Sequence, residues 1–180
     1  MFVHGGVQAF LLLFAAQRGI VHAGLFFTIY SLIGLGSRIF VGRAGDRFGI
    51  RTVTLPSLFV LAVGLFFLGA ARSLSALILA SVIYGLGFAA VNPLVAAMVA
   101  GAVRDSEKGA ALGFQGAGKD VGIALGGPLL GLLIAPLGYG GTFLTAGLIM
   151  VGVALGMSVL LPRRDPSGRV DPGSGHAVGS

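Results

Sequence analysis

Six apolar stretches, most of them near twenty residues long, leave this chain few folds to adopt. They run from Phe2 to Ala16, Gly24 to Val41, Val53 to Ala70, Leu74 to Val99, Ala110 to Pro136 and Gly141 to Leu161. A bilayer core of about 30 Å is crossed by roughly 20 helical residues. The second to sixth stretches meet or approach that length. The first is short and begins at Met1, and it lacks the positive n-region and small-x-small cleavage site of a signal peptide. It reads as a membrane helix whose beginning is missing. The fold class expected is all-α: a polytopic membrane bundle of about six transmembrane helices over residues 1–161. The tail, "PRRDPSGRVDPGSGHAVGS", is polar and rich in Gly, Pro and Ser. Residues 162–180 are therefore expected to be disordered and cytoplasmic, with His176 idle.

Composition narrows function further. Charged residues make up only 10% of the chain, against about a quarter in soluble domains, so a water-soluble domain is a poor fit. No Cys is present, which removes disulfides, thiolate metal sites and Cys nucleophiles. The net charge of +6 does not indicate nucleic acid, because Lys and Arg fall between apolar segments and form no basic face. The 32 Gly suit membrane helices, where close backbone approach substitutes for a hydrophobic driving force. There is no nucleotide-binding loop, metal cluster or catalytic triad. No enzyme activity, cofactor or metal is expected.

The basic residues set the topology. Arg43, Arg47, Arg51, Arg104, Lys108, Arg163, Arg164 and Arg169 lie on the tail side of the segments, and Arg18 and Arg72 on the other. Eight against two places the tail in the cytoplasm. With six helices, both termini are cytoplasmic, in the plasma (inner) membrane.

One connection carries more than topology. "VGRAGDRFGIR", residues 41 to 51, reads as a tight cytoplasmic loop between the second and third helices, with Gly42, Gly45 and Gly49 permitting a sharp turn. Asp46 is left over, because a topology signal needs no acid. Gly42, Asp46, Arg47, Gly49 and Arg51 resemble the Gly-x-x-x-Asp-Arg-x-Gly-Arg-Arg/Lys loop of the major facilitator superfamily of secondary transporters. That loop lies between helices two and three of each six-helix half. Ile50 replaces the first basic residue of the final pair, so the outer charge relay is weakened here. The resemblance covers about 160 residues, and implies that this is a gating loop. Asp46 would face the N-terminus of a helix in the other half, where the helix dipole favours a carboxylate by up to about 2 kcal/mol. That contact would bias alternating access.

The resemblance also implies which half this is. A first half usually carries an Arg inside its fourth helix, and the fourth segment has none. Gly85, Gly87 and Pro93 look like the tenth helix of the full-length family. "KDVGIALGGPLLG" in the fifth segment resembles the eleventh helix of drug- and sugar-efflux members. Its Gly-Pro is also similar to an antiporter motif of first halves. The C-terminal half is the preferred assignment, and the family norm of twelve helices implies a second six-helix half elsewhere.

The fifth segment holds two kinds of candidate. Gly118, Gly122 and Gly126, with Gly127, Pro128 and Gly131, give a smooth helix face four residues apart, suited to ordinary packing or to a rocking surface. Lys119 and Asp120 fall about 15 Å from the cytoplasmic end of their helix, at 1.5 Å per residue. Charges at that depth are costly unless they line a cavity or pair. Neighbours in sequence point about 100° apart on a helix, so the two do not share a face neatly. They are candidates for the substrate or proton path. Gln115, Tyr84, Asn92, Gln8 and Tyr30 are weaker candidates for the same path, and for each an interhelical hydrogen bond worth about 0.6 kcal/mol is the plainer role. His4 stands too near the start to be placed in depth, although an imidazole could carry a proton.

The expected function is secondary active transport of a small solute by alternating access, proton-coupled and outward, within a major facilitator carrier. Its partners are the lipid bilayer, a small-molecule substrate and a second six-helix half, which could be an upstream segment, a separate chain or a second copy. The alternative is a truncated or accessory membrane protein that does not transport by itself.

Overall fold

The computed structural model describes residues 1–48 and 50–160. Among these the chain is all-helical: α1 (Phe2–Gln17), α2 (Leu25–Phe48), α3 (Ile50–Ala70), α4 (Leu74–Ala102), a short 3₁₀ turn (Asp105–Glu107) and α5 (Lys108–Leu160). Residues 162–180, expected as a disordered tail, lie outside the described residues, as does residue 161.

Two helices depart from the hydropathy reading. α2 runs seven residues past Val41, and α3 begins at Ile50. Much of the stretch expected as a loop is therefore helix. Arg43, Ala44, Asp46 and Arg47 continue the hydrogen-bonded ladder because helix formation does not stop where apolarity stops. The fifth and sixth segments are one run, α5, interrupted at Gly138 (φ 67°, ψ 173°). That backbone region is open essentially to glycine alone. Thr142 Oγ1 donates to the Gly138 carbonyl at 2.8 Å and secures the first turn of the second limb. The limbs span 108–137 and 139–160.

Contacts give the direction of each element. Gly126 meets Phe2, and Gly131 meets Phe10, so the first limb runs alongside α1 in the same sense. Gly69 meets Gly140, whereas Phe66 meets Gly147, so the second limb runs back along α3. Gly64 lies against Tyr84 and Gly87 against Leu61, which makes α3 and α4 antiparallel. Phe26 lies beside Tyr84 and Tyr30 beside Phe88, so α2 and α4 run in one direction. The result is an up-down arrangement in which α3 lies between α4 and the second limb, α2 rests on α4, and α1 rests on the first limb.

Close approach depends on glycine. A methyl at Gly64 would stand 2.6 Å from the Tyr84 backbone nitrogen, and one at Gly126 would overlap the Phe2 carbonyl. Leu11, Phe14, Leu65, Leu68, Leu77, Tyr84, Leu130 and Phe143 fill the interior. Leu32, Leu35, Phe114, Leu132, Leu148 and Val159 stay exposed, as lipid-facing or partner-facing side chains do.

Among the described residues, three helices are long and apolar enough to cross a membrane: Thr52–Ala70, Leu74–Ala102 and Asp105–Val159, the last containing the Gly138 break. α1, with 16 residues, is about 24 Å long. α2 is longer, with 24 residues from Leu25 to Phe48. The described residues thus support a bundle of membrane helices, with three long apolar helices where six crossings were expected from sequence.

Candidate functional site

The interior polar site is built around Tyr84. Gly64 lets α3 pack against the backbone of Tyr84, and Gly85 lets α2 approach so closely that a methyl there would lie 3.1 Å from the Tyr30 Cα. Tyr30 and Tyr84 thereby meet edge to face, with centroids 6.0 Å apart. One turn further along α4, Phe88 stacks on Tyr84 at 5.8 Å and 9°. Phe26 closes another side of Tyr84 at 5.7 Å.

Into this aromatic group α1 inserts His4. Its ring stacks on Phe88 at 4.1 Å and meets Tyr30 edge-on at 5.8 Å. His4 Nδ1 lies 2.7 Å from Tyr84 Oη. His4 is 6% exposed and Tyr84 1%, so neither draws on bulk water for a partner. With Nδ1 unprotonated, the tyrosine hydroxyl donates to it. With Nδ1 protonated, the imidazole donates to the phenolic oxygen. The contact can thus be kept whichever of the two atoms carries the shared proton.

Of the residues singled out from sequence, Tyr84 and Tyr30 belong to this cluster. Asn92 is half-buried and continues the face of Tyr84 and Phe88 at four-residue spacing. Gln8, one turn beyond His4, is exposed. Gln115 and Lys119 share a face of the first limb of α5, both partly exposed. Lys119 Nζ lies 3.7 Å from Asp120 Oδ1, so the flexible lysine stem reaches a neighbour that helix geometry points elsewhere. The contacts of the His4 cluster do not include this pair. His4 was the residue hardest to weigh from sequence, since its partner stands 80 positions away.

The glycine face divides. Gly122, Gly126, Gly127 and Gly131 meet Met1, Phe2, Ala9 and Phe10 of the α1 segment. Gly118 has open space beside it, because it lies short of the start of α1. Pro128 is exposed. Gly42, Asp46 and Arg47 stand in the last turns of α2 and Arg51 in the first turn of α3. The Arg47 side chain is exposed. Gly49 and the side chains of Asp46 and Arg51 lie outside the described residues.

Comparison with known proteins places these features in a family. A family model described as Major Facilitator Superfamily matches residues 1–178. The chain is 31% identical over 140 residues to an uncharacterized MFS-type transporter of Salmonella typhimurium, covering 78% of this chain and 36% of the relative. It is 29% identical over 160 residues to an uncharacterized MFS-type transporter of Pseudomonas aeruginosa, covering 89% and 40%. It is 28% identical over 163 residues to YhhS, an uncharacterized MFS-type transporter of Salmonella typhimurium, covering 91% and 40%. The chain thus spans less than half the length of the curated relatives it matches.

Proposed function

The chain belongs to the major facilitator superfamily, and from that premise we propose that it forms the C-terminal six-helix half of a proton-coupled carrier that moves a small solute outward across the plasma membrane. The 36% to 40% coverage of its relatives supports half a carrier. Outward movement rests on the likeness of residues 119–131 to efflux members. The Lys and Arg bias supports cytoplasmic termini. In this reading the second half covers Gln8 and Lys119, which are exposed and partly exposed in this chain, and the solute binds between the halves.

The observation that carries the reading is the His4–Tyr84 contact between α1 and α4. α1 rides on the first limb of α5, and α4 rides with α2 and α3. A proton arriving at His4 reverses the direction of the hydrogen bond that joins these two groups. Solute binding and proton binding then favour different relative positions of the helices, which is what coupling by alternating access requires. Lys119 and Asp120 supply the charged wall of the path, and Asp46 with Arg47 gates its cytoplasmic end.

The test is coupling in vesicles that contain the whole carrier. An imposed proton gradient should drive solute movement in the wild type and fail to do so in His4→Gln. Wild-type coupling in His4→Gln would remove His4 from the proton path.

A further inference from the structure

At the end of the bundle where α1 and α3 finish and α4 begins, two arginines stand side by side. Arg18 lies just past α1. Its guanidinium donates to the Ala71 carbonyl, covers the Phe14 ring at 4.3 Å and abuts Gly140 just after the α5 break. Arg72 follows Ala71 directly and is exposed. The two arginines line an open cleft of about 350 Å³.

Nothing acidic among the described side chains balances them. Asp105 and Glu107 lie beyond the far end of α4. Asp120 is paired with Lys119, close to the start of α1. Burial, and then the charge of Arg72, hold the Arg18 guanidinium below the ordinary arginine range. Two like charges are thus kept together by the fold. They also occupy the end of the bundle that the basic-residue bias leaves poor in Lys and Arg, so a topological role does not account for them. Ser73, next in sequence, caps α4 by accepting from Ala76 N at 3.3 Å.

We infer that Arg18 and Arg72 form a binding site for a phosphate-bearing anion, such as a phospholipid headgroup at the membrane surface or a free phosphate. Guanidinium groups match phosphate oxygens through paired N–H donors. Arg18 is fixed by its contacts with three segments and provides the anchored half of the site. Arg72 is the exposed half. A bound anion would tie the α1 end, the α3–α4 turn and the α5 break together.

The full chain in dodecylmaltoside, melted with added phosphatidylglycerol or with inorganic phosphate, tests this. In the wild type at least one of the two should raise the melting temperature in a saturable way. Loss of one charge-assisted contact should raise the half-saturating concentration about tenfold in Arg72→Ala. Arg104→Ala, an exposed arginine at the opposite end, should leave it unchanged. Arg72→Ala should melt like the wild type without anion, which separates binding from folding. A response to phosphatidylglycerol alone assigns the site to a lipid headgroup, and a response to both assigns it to phosphate in general. No response to either anion would overturn the proposal. So would equal weakening in Arg72→Ala and Arg104→Ala.

Discussion

His4 Nδ1 and Tyr84 Oη lie 2.7 Å apart and join α1 to α4 across 80 residues of sequence. Both side chains sit among Tyr30 and Phe88, away from water. Removing one partner should therefore be felt in stability as well as transport. Tyr84→Phe leaves His4 Nδ1 without its hydroxyl and should cost about 1 kcal/mol in a membrane interior. Thermal melting of the purified protein measures this. A variant as stable as the wild type would mean that the hydrogen bond contributes nothing net.

Gly138 provides a second test. It adopts φ 67° and ψ 173°, and a methyl there would meet nothing within 4 Å. Gly138→Ala should thus cost about 1–3 kcal/mol from backbone strain alone, without a steric clash. The expected outcome is a lowered melting temperature with unchanged helix content.

The α1–α5 interface should respond in opposite directions at two glycines. Gly126→Ala drives a methyl into the Phe2 carbonyl, and should cost about 1–3 kcal/mol as the helices part. Gly118→Ala meets open space and should leave stability unchanged or raise it by up to about 1 kcal/mol through helix propensity. Melting curves of the two variants side by side measure the difference.

Lys119 and Asp120 form a part-exposed pair at 3.7 Å. If they line the transport path, Lys119→Ala and Asp120→Asn should each lower transport by roughly tenfold, the loss of about one charge-assisted contact. Melting temperatures should stay close to wild type, because Asp120 is 74% exposed. Wild-type transport in both variants would confine the pair to the surface.

What the sequence revealed, and what it hid, follows from the range of each interaction. Apolar length located α1, the body of α3 and the body of α4, because burial in lipid is a local property of each segment. It missed the continuation of α2 through Asp46 and Arg47, since polar residues can extend a helix beyond the bilayer. It left a gap at residues 137–140, and the break in α5 falls inside that gap, at Gly138; hydropathy does not register how few residues the turn needs. Tyr84 and Tyr30 stood out as polar side chains in apolar helices. That they surround His4 was not legible, because the contact depends on how Gly64 and Gly85 let three helices converge. The pairing of Lys119 with Asp120 was hidden by lysine flexibility, which helical angles do not describe.

The most direct test of the account uses the absence of cysteine from this chain. A single cysteine at Gln8, exposed one turn beyond His4, is placed in the carrier with its partner half also free of cysteine. Labelling by a membrane-impermeant maleimide is then timed at acidic and neutral pH, from each side of the membrane. The account predicts that the side from which position 8 is reached changes with pH, and that His4→Gln abolishes this change while leaving the site reachable. Labelling that is independent of pH, or equally pH-dependent without His4, would contradict a proton-controlled alternating-access pathway bounded by α1 and α4.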